Sequence, residues 1–130
     1  MASANEDTVR RGYDAFSKGD MDTLRSIMTP DVVHVVPGNS LISGEYKGID
    51  EVLGYYGKLF ELTGGTMSVD IKTVSSEGPD KVVVIHHNKA QREGKTYDAD
   101  EKLTFTFSGD KMARLEESHD NLPEWDAFWS

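Results

Sequence analysis

Cysteine is missing altogether from the 130 residues, which excludes disulfides, thiol nucleophiles and cysteine-ligated zinc together. A chain with no disulfide framework does not need secretion for its stability, so a cytoplasmic location is the expectation. No apolar run approaches the ~20 residues a membrane helix requires, and the polar opening MASANEDTV lacks signal-peptide character. No membrane partner is expected. Positive charge is scarce: 14 Lys and Arg stand against 23 Asp and Glu, a net charge of −9, and both halves are acidic. Without a basic stripe, phosphate backbones are repelled rather than recruited, and nucleic acid is excluded as the main partner. Repeats, linkers and low-complexity stretches are also absent.

What is present is the balance of a globular domain, 37% hydrophobic and 28% charged. A chain of this length buries roughly 65–70% of its unfolded surface, enough for a core without staples. We therefore read residues 1–130 as one domain. Val9, Tyr13 and Phe16 share a helical face within Glu6–Ser17, with Asn5 as its cap. Asp20 caps a second helix whose apolar face is Leu24, Ile27 and Met28, stopped near Pro30. Asp31–Val36 reads as a strand, closed by Pro37-Gly38-Asn39-Ser40. A third helix spans Ile49–Leu62, with Tyr56 and Phe60 on its apolar side. Its glycines at 54 and 57 each cost about 1 kcal/mol against alanine, so the sequence implies that packing needs them small. Four strand-like runs follow, at 66–74, 81–92, 96–107 and 111–120, separated by hairpin-like turns. The last ten residues carry Trp125, Phe128 and Trp129 and read as a docking tail. Helices followed by a meander make an α+β domain, with three N-terminal helices against one face of a curved, mostly antiparallel sheet.

Three stretches, Val9–Asp20 (VRRGYDAFSKGD), Pro30–Gly38 (PDVVHVVPG) and Tyr46–Gly54 (YKGIDEVLG), with the ending Asp126–Trp129 (DAFW), carry a resemblance. They resemble the SnoaL-like branch of the nuclear transport factor 2-like superfamily, which also holds ketosteroid isomerases and limonene-epoxide hydrolases. The resemblance implies a cone-shaped, cystatin-like fold whose open end is a mostly apolar pocket for a small hydrophobic molecule. It also implies pairing of two subunits through the exposed sheet face, a homodimer. It does not name a reaction, because the superfamily hosts isomerases, cyclases, hydrolases and non-catalytic binders.

Ketosteroid isomerase chemistry needs a carboxylate base, a tyrosine and a protonated aspartate. The corresponding positions here are Val36, about Gly12 and Leu103, so all three roles are vacant. Tyr13 lies one helical position away, about 100° around the axis. The hydrolase pattern needs an arginine that no inward position supplies.

Strand alternation supplies other candidates, since residues two apart share a face. His34 shares its face with Val36, and Tyr97 and Glu101 share theirs with Leu103, Phe105 and Phe107. Ala113 and Leu115 mark the apolar face of the last run and place Glu117 and His119 beside them. For the second run we take His86 and Asn88 as inward, because the opposite choice would bury Lys89 and Gln91. The expected polar lining is His34, His86, Asn88, Glu101, Glu117 and His119, edged by Tyr13, Tyr56 or Tyr97. Phe16, Val36, Phe60, Leu103, Phe105 and Leu115 complete the wall. A one-residue slip would replace His119 with Asp120, which falls near the acid/base aspartate that the resemblance to SnoaL-type cyclases implies. Either could transfer a proton, with His34, Glu117 or Glu101 assisting, since an imidazole beside a carboxylate is suited to acid–base work.

Each of these side chains also fits a plainer role, a core histidine bonded to its neighbour or an acid at the sheet edge. No His-x-His or His-x₃-His spacing appears, so no metal is expected, and no glycine loop with a phosphate-cradle context points to a cofactor. The Asp98-Ala-Asp100-Glu101 run reads as an acidic patch. Three readings stay open: a cofactor-independent isomerase, cyclase or hydrolase, a non-catalytic binding module, and an interaction domain.

Overall fold

The computed structural model describes residues 4–130; Met1–Ser3, where the polar opening stretch begins, lie outside the described residues. Helix α1 (Ala4–Lys18) buries Val9, Gly12 and Ala15 along one stripe. It begins before Asn5, so Asn5 is not its cap; its side chain instead donates to the Pro79 carbonyl at 3.3 Å. Asp20 caps α2 (Met21–Ser26) as expected, its carboxylate accepting from the Thr23 amide and hydroxyl. Ile27 and Met28 do not continue that helix. Ile27 is its C-cap, and Met28 opens strand β1 (Met28–Val36), drawn into the sheet as the Ile27 carbonyl accepts from the Met112 amide at 2.9 Å. Pro30 is tolerated there because the pairing is irregular between Met28 and Val33.

A short strand, β2 (Gly44–Lys47), sits where the sequence showed only punctuation, antiparallel to β1 with His34 opposite Tyr46. Helix α3 (Ile49–Leu62) then packs against β1 and β2. A Cβ built on Gly54 or Gly57 meets nothing within 4 Å, so packing does not require them small. Gly54→Ala and Gly57→Ala should each stabilise the protein by about 0.5–1 kcal/mol in urea denaturation. A loss in either variant would show a close approach that this structure does not contain.

Strands β3 (Ser68–Ser76), β4 (Lys81–Arg92), β5 (Lys95–Ser108) and β6 (Lys111–Ser118) complete a sheet of order β2-β1-β6-β5-β4-β3. Among the described residues, only β1 and β6 run parallel, and every other pair is antiparallel. The β4–β5 ladder is regular, setting His86 opposite Glu101 and Asn88 opposite Ala99. The β5–β6 ladder shifts between Thr106 and Phe107, so Met112 rather than Ala113 enters the core. Beyond the shift Leu103 faces Glu117, restoring the expected parity.

The closing segment is a fourth helix, α4 (Leu122–Phe128), with Asn121 as its N-cap. Trp125, Phe128 and Trp129 are buried, and the buried Arg92 guanidinium donates to the Phe128 and Ser130 carbonyls. The architecture is α+β, with helices packed on a six-stranded, mostly antiparallel sheet. Among the described residues, no helix is long and apolar enough to cross a membrane.

Candidate active site

Between α1, α3 and the inner sheet face lies a cavity of about 80 Å³. That is well below the ~300–1,000 Å³ of drug-sized pockets, so only a small molecule fits. Tyr13, Phe16, Tyr56 and Phe105 narrow it, and most of its wall is apolar. Gly12 and Leu103 line it without offering a polar group. The polar exceptions are His34, His86, Asn88, Glu101, Glu117 and the tyrosine hydroxyls.

These polar groups form two arms of the same design. In one, the Tyr13 hydroxyl lies 2.6 Å from His86 Nδ1, and His86 Nε2 lies 2.8 Å from Glu101 Oε1. In the other, the Tyr56 hydroxyl lies 3.0 Å from His34 Nδ1, and His34 Nε2 lies 2.5 Å from Glu117 Oε2. A carboxylate oxygen only accepts, so each imidazole presents Nε2–H to its glutamate and keeps Nδ1 for the tyrosine hydroxyl. Tyr55 donates to Glu117 at 2.9 Å, and the Asn88 amide donates to Glu101 at 3.2 Å.

His119 joins the arms. Its Nε2 is 3.2 Å from Glu117 Oε1, and its Nδ1 is 3.1 Å from Glu101 Oε2, an ion-pair approach out of line for a full hydrogen bond. The ring is stacked on Trp125 at 4.0 Å and does not line the cavity.

The protonation states follow. Burial alone would raise the Glu117 carboxyl, but hydrogen bonds from His119 and His34 outweigh it and hold it at about 2. Glu101 is also held below the ordinary range: burial opposes, and His119 and His86 prevail. Burial disfavours a charged His119, yet its two carboxylate neighbours raise it to about 9. Burial, reinforced by nearby Glu117, pushes the Tyr13, Tyr55 and Tyr56 hydroxyls up, so all three stay protonated. At neutral pH two carboxylates thus share one imidazolium.

Of the expected lining, Tyr13, Phe16, His34, Tyr56, His86, Asn88, Glu101, Leu103, Phe105, Leu115 and Glu117 all border the cavity. Five expected residues do not, His119 among them, since it stands behind Glu101 and Glu117 against Trp125. Val36 is buried at the end of β1, away from it. Phe60 packs behind Phe16 at 4.9 Å. Tyr97 is on the inner face but lies against Trp125 and Phe128. Asp120 is exposed past the end of β6, because no slip occurs between Leu103–Glu117 and the strand end. Tyr55, three residues after the buried Val52, also borders the cavity, in keeping with its reading beside Tyr56 as core or cavity wall. On the outer face, Asp98 and Asp100 bracket His87, while Glu101 turns inward. Among the described residues, no group of three or more His, Asp or Glu is arranged to hold a metal ion.

A family model described as the SnoaL-like domain matches residues 9–115. The chain belongs to this SnoaL-like family. An uncharacterised protein of Mycobacterium tuberculosis is 32% identical over 127 residues, 98% of this chain and 97% of the relative. Bal32a, from a soil-derived mobile gene cassette, is 35% identical and superposes with a TM-score of 0.95, covering 98% of this chain and 97% of its own. A Xanthomonas campestris protein of unknown function with a cystatin-like fold is 27% identical, with a TM-score of 0.90 and coverage of 97% and 98%. The SnoaL-like family fixes the cone and its pocket. The two tyrosine–histidine–glutamate arms are features of these side chains, and the chemistry has to be argued from them.

Proposed function

We propose that this SnoaL-like protein binds a small, largely apolar molecule and moves a proton on it without a cofactor, as an isomerase, cyclase or hydrolase of the acid–base type. The observation that carries the reading is the pair of hydrogen-bonded arms Tyr13–His86–Glu101 and Tyr56–His34–Glu117 bordering an otherwise apolar cavity, joined behind it by His119, which hydrogen-bonds Glu117 and lies in ion-pair contact with Glu101. Nucleophile, base and orienting acid in hydrogen-bond reach is the general logic of activated hydroxyls.

In the step we envisage, the Tyr13 oxygen takes a proton from a carbon acid while its own proton passes to His86 Nδ1. The hydroxyl never becomes a full phenolate, which burial strongly disfavours. The imidazolium formed on His86 sits against Glu101, and reversal of the transfer delivers the proton to another atom of the ligand. Tyr56, His34 and Glu117 form a second relay of the same kind. His119 is a positioning residue in this scheme: it touches neither ligand nor hydroxyl and holds both carboxylates.

The test is deuterium exchange. Small neutral ketones are incubated with the protein in D₂O, and loss of α-protons is followed by NMR. Exchange faster than the buffer rate is expected on at least one member, falling by about tenfold or more in Tyr13→Phe or His86→Ala. If the protein binds a ketone yet every member exchanges at the buffer rate, the enzymatic reading fails and a binding module of the same fold remains.

A further inference from the structure

The hydrogen-bonded arms leave two polar groups of the cavity wall without a partner. Asn88 is 1% exposed and lines the cavity, and its Oδ1 accepts nothing. Trp125 is equally buried and lines the same space, and its Nε1–H donates to nothing. Glu101 Oε2 and His119 Nδ1 also lack a full hydrogen bond, but they face one another at 3.1 Å. The orientation of the Asn88 amide is fixed by chemistry. Glu101 Oε1, 3.2 Å away, can only accept, so the nitrogen must face it and the oxygen must point elsewhere. A buried amide oxygen with no donor is costly, and a cavity-wall acceptor without a partner marks a place for a ligand's donor. The charged groups around it are already matched to one another: Glu101 and Glu117 each pair with their own histidine, His86 and His34, and share His119.

We infer that the molecule this cavity takes is uncharged and carries a hydroxyl or N–H that donates to Asn88 Oδ1, with an oxygen able to accept from Trp125 Nε1. Carboxylates and phosphates bring no donor to Asn88 Oδ1 and would give up their hydration in an otherwise apolar cavity with no unpaired cation among the described residues of its wall. The inference rests on the reading of the cavity as a ligand site, and it concerns recognition alone, so a protein that binds without turning over leaves it standing.

Phenol and toluene share a shape and differ in the donor. Their dissociation constants are measured by NMR titration for the whole chain and for Asn88→Leu. The toluene-to-phenol ratio should fall about tenfold in the variant, because only the phenol contact is lost. A general loosening of the cavity, or an ordered water in place of a ligand contact, would change both constants together and leave the ratio alone. Benzoate should bind about a hundredfold more weakly than phenol. If Asn88→Leu does not fold, the ¹⁵N side-chain amide resonance of Asn88 in the unmodified protein serves instead, and it should move with phenol and not with toluene. An unchanged ratio, benzoate as tight as phenol, or phenol weaker than ~10 mM overturns the inference. The deuterium-exchange result does not bear on this outcome, so failure of the catalytic reading and failure of this one remain distinguishable.

Discussion

Glu117→Ala should cost about 3–5 kcal/mol of folding stability, read as a fall in the urea midpoint or melting temperature. Glu117 is the junction of three elements: it accepts from His34 on β1, from Tyr55 on α3 and from His119 just past the end of its own strand. Its side chain is 12% exposed, against 4% for His34 and 1% for His119, so water cannot replace the lost acceptor. Alanine would leave three buried donors unsatisfied, one of them on a charged imidazole. Glu117→Gln keeps the shape but turns two N–H bonds toward donors, and a loss of about 1–3 kcal/mol is expected. Asp120→Ala is the contrasting case. Its carboxylate is exposed, and a change within about 0.5 kcal/mol is expected. A Glu117→Ala protein as stable as the unmodified one would mean that the network is not assembled in solution.

Much of that network was legible before any coordinates. Lys89 and Gln91 could not both be buried, which turned His86 and Asn88 inward, and Leu103 and Phe105 fixed the parity of Glu101. What alternation could not supply was depth. Tyr97 and Glu101 share a face of β5, yet one lies under α4 and the other borders the cavity. Nor could it supply pairing: His86 opposite Glu101 follows only from the β4–β5 register. The shift near Thr106 hid the inward position of Met112, because a bulge exchanges faces without a strong sequence mark. Strand β2 escaped because four glycine-flanked residues at a sheet edge carry too little pattern. The Ile27–Met28 boundary failed for a related reason, since apolar residues there suit the helix face and the first rung of β1 equally. Function was less legible than fold. The polar cluster depends on six elements meeting, and only the tertiary arrangement shows that His119 serves both acids.

The same cluster predicts a stability profile with two limbs. Glu117 is held at about 2 against an ordinary 4.5, so the folded state binds fewer protons than the unfolded chain between those values. Its contribution is complete above pH 4.5 and disappears as the pH falls toward 2. His119 is raised from 6.5 to about 9, so its contribution is complete below pH 6.5 and disappears as the pH climbs through 9. Stability should therefore be greatest between about pH 4.5 and 6.5, with roughly 3 kcal/mol lost along each limb. The limbs are one ion pair seen from its two ends, so their contributions at the plateau do not add. His87, raised by Asp100 and Asp98, shifts in the same direction as His119 but is solvated on the outer face and contributes little. Urea midpoints measured from pH 3 to pH 9.5 should trace this plateau. Glu117→Gln should remove most of the acid limb and shrink the alkaline one, where Glu101 alone still holds the His119 proton. A midpoint that stays level from pH 6.5 to 9.5 in the unmodified protein would show that His119 carries no extra proton in the folded state, and the bridge between the two arms would be lost with it.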